Sequence, residues 1–175
     1  GKVGGEYEVE RNEKHNKLRI ERVDKMAEGI PKDKVRILDF GCGNGLLIED
    51  LKRSGYIHVD GYDSYNPKYS RLPDKGSYHI VIMVETIEHF NRPFFELDVI
   101  HRALTNNGCV MIETGIIDAA LQDGHTIDNW FYVNPQAGHS TIFTNHSLDV
   151  LMMKKGFSIK PYFDNYVRLY QKIVK

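Results

Sequence analysis

Apolar positions along this chain follow two rhythms. Leu18, Val23, Met26, Ala27 and Ile30 recur near helical spacing and Pro31 closes the series, which predicts a helix over about 15–29. Val35 to Phe40 is instead a short, nearly continuous apolar run that enters a glycine-rich stretch, the pattern of a buried strand. Leu46 to Arg53 predicts a helix closed by Gly55. A second strand is expected over Ile57 to Asp63, and Tyr78 to Val84 is the densest strand-like run. Leu97, Ile100 and Leu104 mark a further helix stopped at Asn106-Asn107-Gly108, with a strand from Cys109 to Glu113. Leu148, Leu151 and Met152 predict a short helix ended by Gly156. Phe157 to Phe163 and Tyr166 to Ile173, around Asp164-Asn165, predict a hairpin. Residues 1 to about 14 are polar and mixed in charge, and are expected to be loose.

Strands alternating with helices imply an α/β fold: a Rossmann-like, doubly wound, mostly parallel sheet whose C-terminal hairpin adds one antiparallel strand. No repeat or long linker divides the chain, so residues 15–175 are expected to form one domain. Area scaling at 175 residues and 20.2 kDa lets about 70% of the chain's surface be buried, enough for a self-sufficient core. The 23 basic and 24 acidic side chains leave a formal charge of -1, without the field of a dedicated duplex-DNA binder, although a local groove can still be basic. Cys42 and Cys109 form no CxxC pair, so a reduced, cytoplasmic setting is expected. No apolar run is long enough to span a membrane. The opening Gly-Lys-Val-Gly-Gly reads as the remnant of a tag or a cut edge.

Asp39-Phe-Gly41-Cys42-Gly43-Asn-Gly45 lies where a first strand meets a first helix. Glycines there let the backbone bend sharply and come close to a ligand, beside free helix N–H groups. Leu46 stands where a dinucleotide fingerprint would carry its third glycine, which disfavours an oxidoreductase. Asp39 would also face a pyrophosphate, so a ligand without phosphate suits the loop better. Asp63, at the end of the expected second strand, could accept both hydroxyls of a ribose; Asp60 or Asp63 could equally cap a turn.

Ile37 to Gly45, Asp63, the run Tyr78 to Phe90, Leu104 to Gly108, and the later Gly138-His139, Phe143, Leu148 and Gly156-Phe157 together resemble a class I S-adenosylmethionine-dependent methyltransferase. The likeness extends over about 17–160 and is strongest to the small-molecule branch that includes ubiquinone-biosynthesis O-methyltransferases. It implies that Gly41, Cys42 and Gly43 line the methionine part of S-adenosylmethionine, and Asp39 is counted with them as a cofactor-binding residue. It implies that Asp63 and Ser64 hold the ribose and that Val84 sits beside the cofactor. Arg19 resembles an arginine that pairs with the cofactor carboxylate, although a solvated helix arginine is the plain alternative. Residues 64–77 leave room for only a very short third strand or none, and Tyr65, Tyr69 and Leu72 are the candidates for covering the adenine.

Glu85, Glu88 and His89 share one face if the chain turns helical after Val84, and His139 could join them as metal ligands. The same cluster resembles the magnesium site of small-RNA 3′-terminal 2′-O-methyltransferases, where a metal lowers the pKa of substrate hydroxyls. In many metal-free relatives the similar run is a structural turn. For a hydroxyl acceptor His139 is the first candidate base and His89 the second. Residues 116–141, with Trp130-Phe131-Tyr132, read either as an aromatic lid over the acceptor or as a packed irregular loop. The expected function is methyl transfer to a hydroxyl of a small metabolite. The alternatives are the metal-assisted RNA reaction and a non-catalytic cofactor-binding subunit.

Overall fold

The computed structural model describes the backbone of residues 3–174 and the side chains of residues 14–174. Helices are α1 (Val3–Met26), α2 (Leu46–Arg53), α3 (Pro93–Ala103), α4 (Ile117–Gln122) and α5 (Asn145–Lys154). Strands are β1 (Arg36–Phe40), β2 (His58–Tyr62), β3 (Tyr78–Val84), β4 (Leu104–Glu113), β5 (Phe157–Ile159) and β6 (Val167–Lys172). They form one six-stranded sheet in the order β2-β1-β3-β4-β6-β5. The first four strands pair in parallel; β6 runs antiparallel to β4 and to β5, so the hairpin reverses one strand as expected.

Alternation along the inner strands explains the two helical layers. Leu38, Phe40, Val81, Met83, Val110 and Ile112 point to one face and pack with Leu97 and Ile100 of α3 and Leu148 and Met152 of α5. Ile37, Ile80, Ile82 and Met111 point to the other and meet Val23 of α1 and Leu47, Ile48 and Leu51 of α2. Strands covered on both sides must be apolar at nearly every position, which is why these runs show no polar alternation. The fold is the expected Rossmann-like one.

Three boundaries differ from expectation. The backbone of 3–14, expected to be loose, continues α1, in a stretch whose Glu, Arg and Lys residues favour helix. Leu104 belongs to β4 rather than to α3: it pairs with Tyr78, and residues 105–108 then bulge out before Cys109 pairs with Ile80. Within 116–141 the chain forms the short α4, whose Ile117 and Ala120 pack on Trp130 and Tyr132. Between β2 and β3 the only regular element among the described residues is a 3-10 turn, Pro67–Tyr69, capped by the Asn66 side chain. Among the described residues no strand forms between β2 and β3, and β2 is an edge.

Candidate active site

The glycine loop is held by its neighbours. Gly41 and Cys42 both donate N–H to the Tyr62 carbonyl, at 2.7 and 3.2 Å, which ties the end of β1 to the end of β2. Gly41 has φ +85°, and a Cβ there would lie 2.3 Å from Thr86 Oγ1; Gly45, also at +85°, would meet the Tyr69 hydroxyl at 2.3 Å. Left-handed backbone and steric closeness both demand glycine at these two positions. Cys42 turns its sulfur toward Gly61, and burial, ahead of the Asp39 and Asp63 charges, pushes its thiol up to about 12. Asp39 is 3% exposed; burial pushes it up to about 7, the Arg19 charge works against this and Asp63 adds to it.

Asp63 caps a turn and reaches the loop at once. Its Oδ1 accepts from the N–H groups of Tyr65 (2.8 Å) and Asn66 (3.2 Å), and its Oδ2 from Gly43 N–H (2.9 Å). Asn66 Nδ2 donates to the Gly43 carbonyl at 2.7 Å, closing the ring. A carboxylate has about four acceptor positions, so one remains on Oδ2.

Two cavities of about 700 and 710 Å³ open at this end of the sheet, and Glu85 lines both. Gly41, Asp63, Ser64 and Tyr65 line the first, together with Phe90 and Arg92. Arg19, Val84, Glu113, Trp130, Phe131 and Tyr132 are among the residues lining the second. Asp39, Cys42 and Gly43 line neither. Of the expected adenine-covering residues only Tyr65 reaches the first cavity; Tyr69 packs under Gly45 and Gly61, and Leu72 faces a separate groove beyond β2. Phe90 and Arg92 were not singled out in the sequence, although Phe90 directly follows the Glu-His run.

Glu85 sits at φ +47°, rare for a residue with a side chain, and its N–H donates to the Glu113 carbonyl at 2.9 Å. Its side chain still reaches solvent, yet partial enclosure and then the Glu88 charge push it up to about 7. Over the second cavity, α1 is strapped down by charge. Arg19 makes two bonds to Glu113, through Nε at 3.2 Å and through Nη2, and Arg22 bridges Glu113 (3.3 Å) and Asp164 (2.5 Å). Arg19 is therefore a partner of Glu113 and not the solvated helix arginine of the plainer reading.

Of the four expected metal ligands, Glu88, His89 and His139 offer atoms within 4.8 Å of one another; Glu85 stands outside this group. Glu88 is fully buried, and its two oxygens accept from the hydroxyls of Tyr132 (2.5 Å) and Thr114 (3.0 Å). His89 Nδ1 faces the Gly138 carbonyl at 3.0 Å and His139 Nδ1 the Tyr132 carbonyl at 2.6 Å. Because a carbonyl only accepts, each Nδ1 carries a proton, which leaves Nε2 as the nitrogen with a lone pair whenever the ring is neutral. His89 lines the first cavity, whereas His139 lines neither. In the aromatic segment Trp130 and Tyr132 are buried and stacked at 5.0 Å, and Phe131 is 81% exposed at the cavity mouth. The packed-loop and lid readings thus divide between neighbouring residues.

Residues 10–161 match the family described as a methyltransferase domain. The ubiquinone biosynthesis O-methyltransferase of Acinetobacter baumannii (strain AYE) is 29% identical over 101 residues, an alignment covering 45% of this chain and 42% of that protein. Its counterpart in Acinetobacter baylyi is 30% identical over the same shares, so the match spans less than half the length of these relatives. Among solved structures, a SAM-dependent methyltransferase from Archaeoglobus fulgidus superposes with a TM-score of 0.61 at 17% identity, over 90% of this chain and 94% of that one. An S-adenosylmethionine-dependent methyltransferase from Mesorhizobium loti also gives 0.61, at 13% identity over 85% and 96%. With the sheet order, the glycine loop and the family match in agreement, the chain belongs to the methyltransferase domain family and has the class I fold of S-adenosylmethionine-dependent methyltransferases.

Proposed function

We propose that this chain binds S-adenosylmethionine across Glu85 and methylates a hydroxyl of a small metabolite, in the manner of the ubiquinone-type branch. The observation that carries the reading is the pair of cavities meeting at one residue. Gly41, Asp63 and Ser64 stand on one side, Arg19, Val84 and the aromatic segment on the other. The residues fit the cofactor. The left-handed glycines let the backbone bend sharply after β1 and bring Gly41 to the wall of the first cavity, and Asp63 keeps an acceptor position for a ribose hydroxyl. Arg19 is placed for a carboxylate, since it already binds one. When bound, the cofactor supplies an electrophilic methyl on a sulfonium. The chain's own task is then mostly placement. The aromatic segment and α1 enclose the acceptor and exclude water, and orientation supplies most of the rate. Of the two candidate bases, His89 lines the first cavity and His139 neither, so both stand off the wall formed by α1 and the aromatic segment. The oxygen acceptor is supported by the names of the matched relatives.

A metal-assisted version, including the reaction on RNA ends, has one observation in its favour: the Glu88–His89–His139 cluster. Two imidazoles and one carboxylate suit zinc, manganese or iron better than the oxygen-seeking magnesium. Glu88, however, already has a hydroxyl on each oxygen.

The test is methyl transfer from labelled S-adenosylmethionine to a panel of catechols, phenols, amines, thiols and short RNA, with and without chelator. The proposal expects hydroxyl acceptors to be labelled and the chelator to matter little. Transfer only to RNA, lost with chelator, would establish the metal-assisted reading; cofactor binding with no acceptor labelled would favour a regulatory subunit.

A further inference from the structure

At the opposite pole of the sheet from the glycine loop lies a cavity of about 600 Å³ whose titratable walls are all basic. Lys75 comes from the loop before β3, His101 and Arg102 from the last turn of α3, and Lys172 from the end of β6. Thr105 and Asn106, in the bulge of β4, add a hydroxyl and an amide. We propose that this cavity is a binding site for a small phosphate-bearing molecule of the diphosphate class, separate from the methyl-transfer site and independent of the function proposed above.

Among the described residues no carboxylate lines the cavity; Asp98, whose charge acts on His101, is paired with Lys155, and Asp74 with Arg71. The Lys75 and Arg102 side chains are exposed and have no hydrogen-bonded or ionic partner among the described residues. Lys172 is fixed by donating to the Leu104 carbonyl at 2.8 Å, which leaves its other N–H groups free. Crowding shows in the titration of the walls. Burial and then the Lys75 charge hold Lys172 below its ordinary range, and burial and then Lys172 do the same to His101.

Basic residues at a helix C-terminus often only answer the helix dipole. That accounts for His101 and Arg102, but Lys75 and Lys172 arrive from other elements of the fold. In a chain of net charge -1, such a one-sign hollow calls for an anion. An arginine fork and two ammonium groups match phosphoryl oxygens, and the volume exceeds a single phosphate. The cations converge on a hollow and not along a stripe, which favours a small molecule over a nucleic-acid backbone.

The experiment titrates pyrophosphate into the whole chain at constant ionic strength, followed by calorimetry, thermal melting and the His101 ring resonances. A parallel arm uses short single-stranded RNA. Expected are saturable one-to-one binding and a melting midpoint raised by roughly 5 °C at a hundredfold excess over Kd. The His101 pKa should rise toward its ordinary value. Lys75→Gln with Arg102→Gln, both exposed, should fold normally and weaken pyrophosphate by about tenfold or more. Absence of saturation, equal binding by the double variant, or a static His101 pKa would overturn the proposal. Binding of RNA without pyrophosphate would overturn the small-molecule class.

Discussion

Asp63 holds Gly43 by a 2.9 Å hydrogen bond from the loop N–H to Oδ2, so the acid at the end of β2 shapes the glycine loop as well as its own turn. The same carboxylate accepts from Tyr65 and Asn66, and three backbone donors depend on it. Asp63→Ala should cost about 1–2 kcal/mol, the low end of a charged acceptor's value because water reaches these groups. The check is a denaturant midpoint that falls with an unchanged m-value; an unmoved midpoint would show that the bonds add nothing.

Gly41→Ala faces two obstacles at once, a left-handed φ of +85° and a Cβ 2.3 Å from Thr86 Oγ1. A loss of about 2–4 kcal/mol is expected. Combining it with Thr86→Gly should recover only the steric part, since the backbone strain stays. Thermal melts of the two singles and the double variant measure this, and full recovery would place the whole cost in the clash.

Asp39 makes stability depend on pH. Its folded value of about 7 lies above the ordinary 3.8, so folding takes up a proton between these values and stability falls as pH rises through that window. The full shift sets a ceiling on the order of 4 kcal/mol. Asp39→Asn should flatten the stability profile between pH 4 and about 7 and leave the variant more stable than the parent at pH 8. A profile unchanged by the substitution would locate the proton uptake elsewhere, Glu85 being the other group raised to about 7.

The Arg19–Glu113 pair separates a strap from a cofactor clamp. If Arg19 serves the cofactor carboxylate, Glu113 competes with it, and Glu113→Gln should tighten S-adenosylmethionine binding by about threefold to tenfold. Arg19→Ala should weaken it by about tenfold or more. Binding indifferent to both substitutions would leave Arg19 as a strap of α1 alone.

Much of this was legible because it rests on local rules. The continuous apolar runs of β1 and β3 announce strands covered on both faces, and the short segment 64–77 announces the missing strand. What escaped was decided by contacts distant in sequence. Leu104 has helical spacing from Ile100, yet it pairs with Tyr78 in the sheet. Arg19 carries nothing in its neighbourhood that points to Glu113, on a strand at the far side of the chain. Phe90 and Arg92 reach the cavity because the chain turns extended after His89. The Glu-x-x-Glu-His run would share one face only as a helix; it folds as a left-handed residue followed by a 3-10 turn, which sets Glu85 apart from Glu88 and His89.

Calorimetric titration of S-adenosylhomocysteine into the parent chain and Asp63→Ala tests the central claim most directly. The account predicts one-to-one binding by the parent, weakened by about thirtyfold or more when the carboxylate is removed. No heat from the parent, or equal affinity in both proteins, would contradict it.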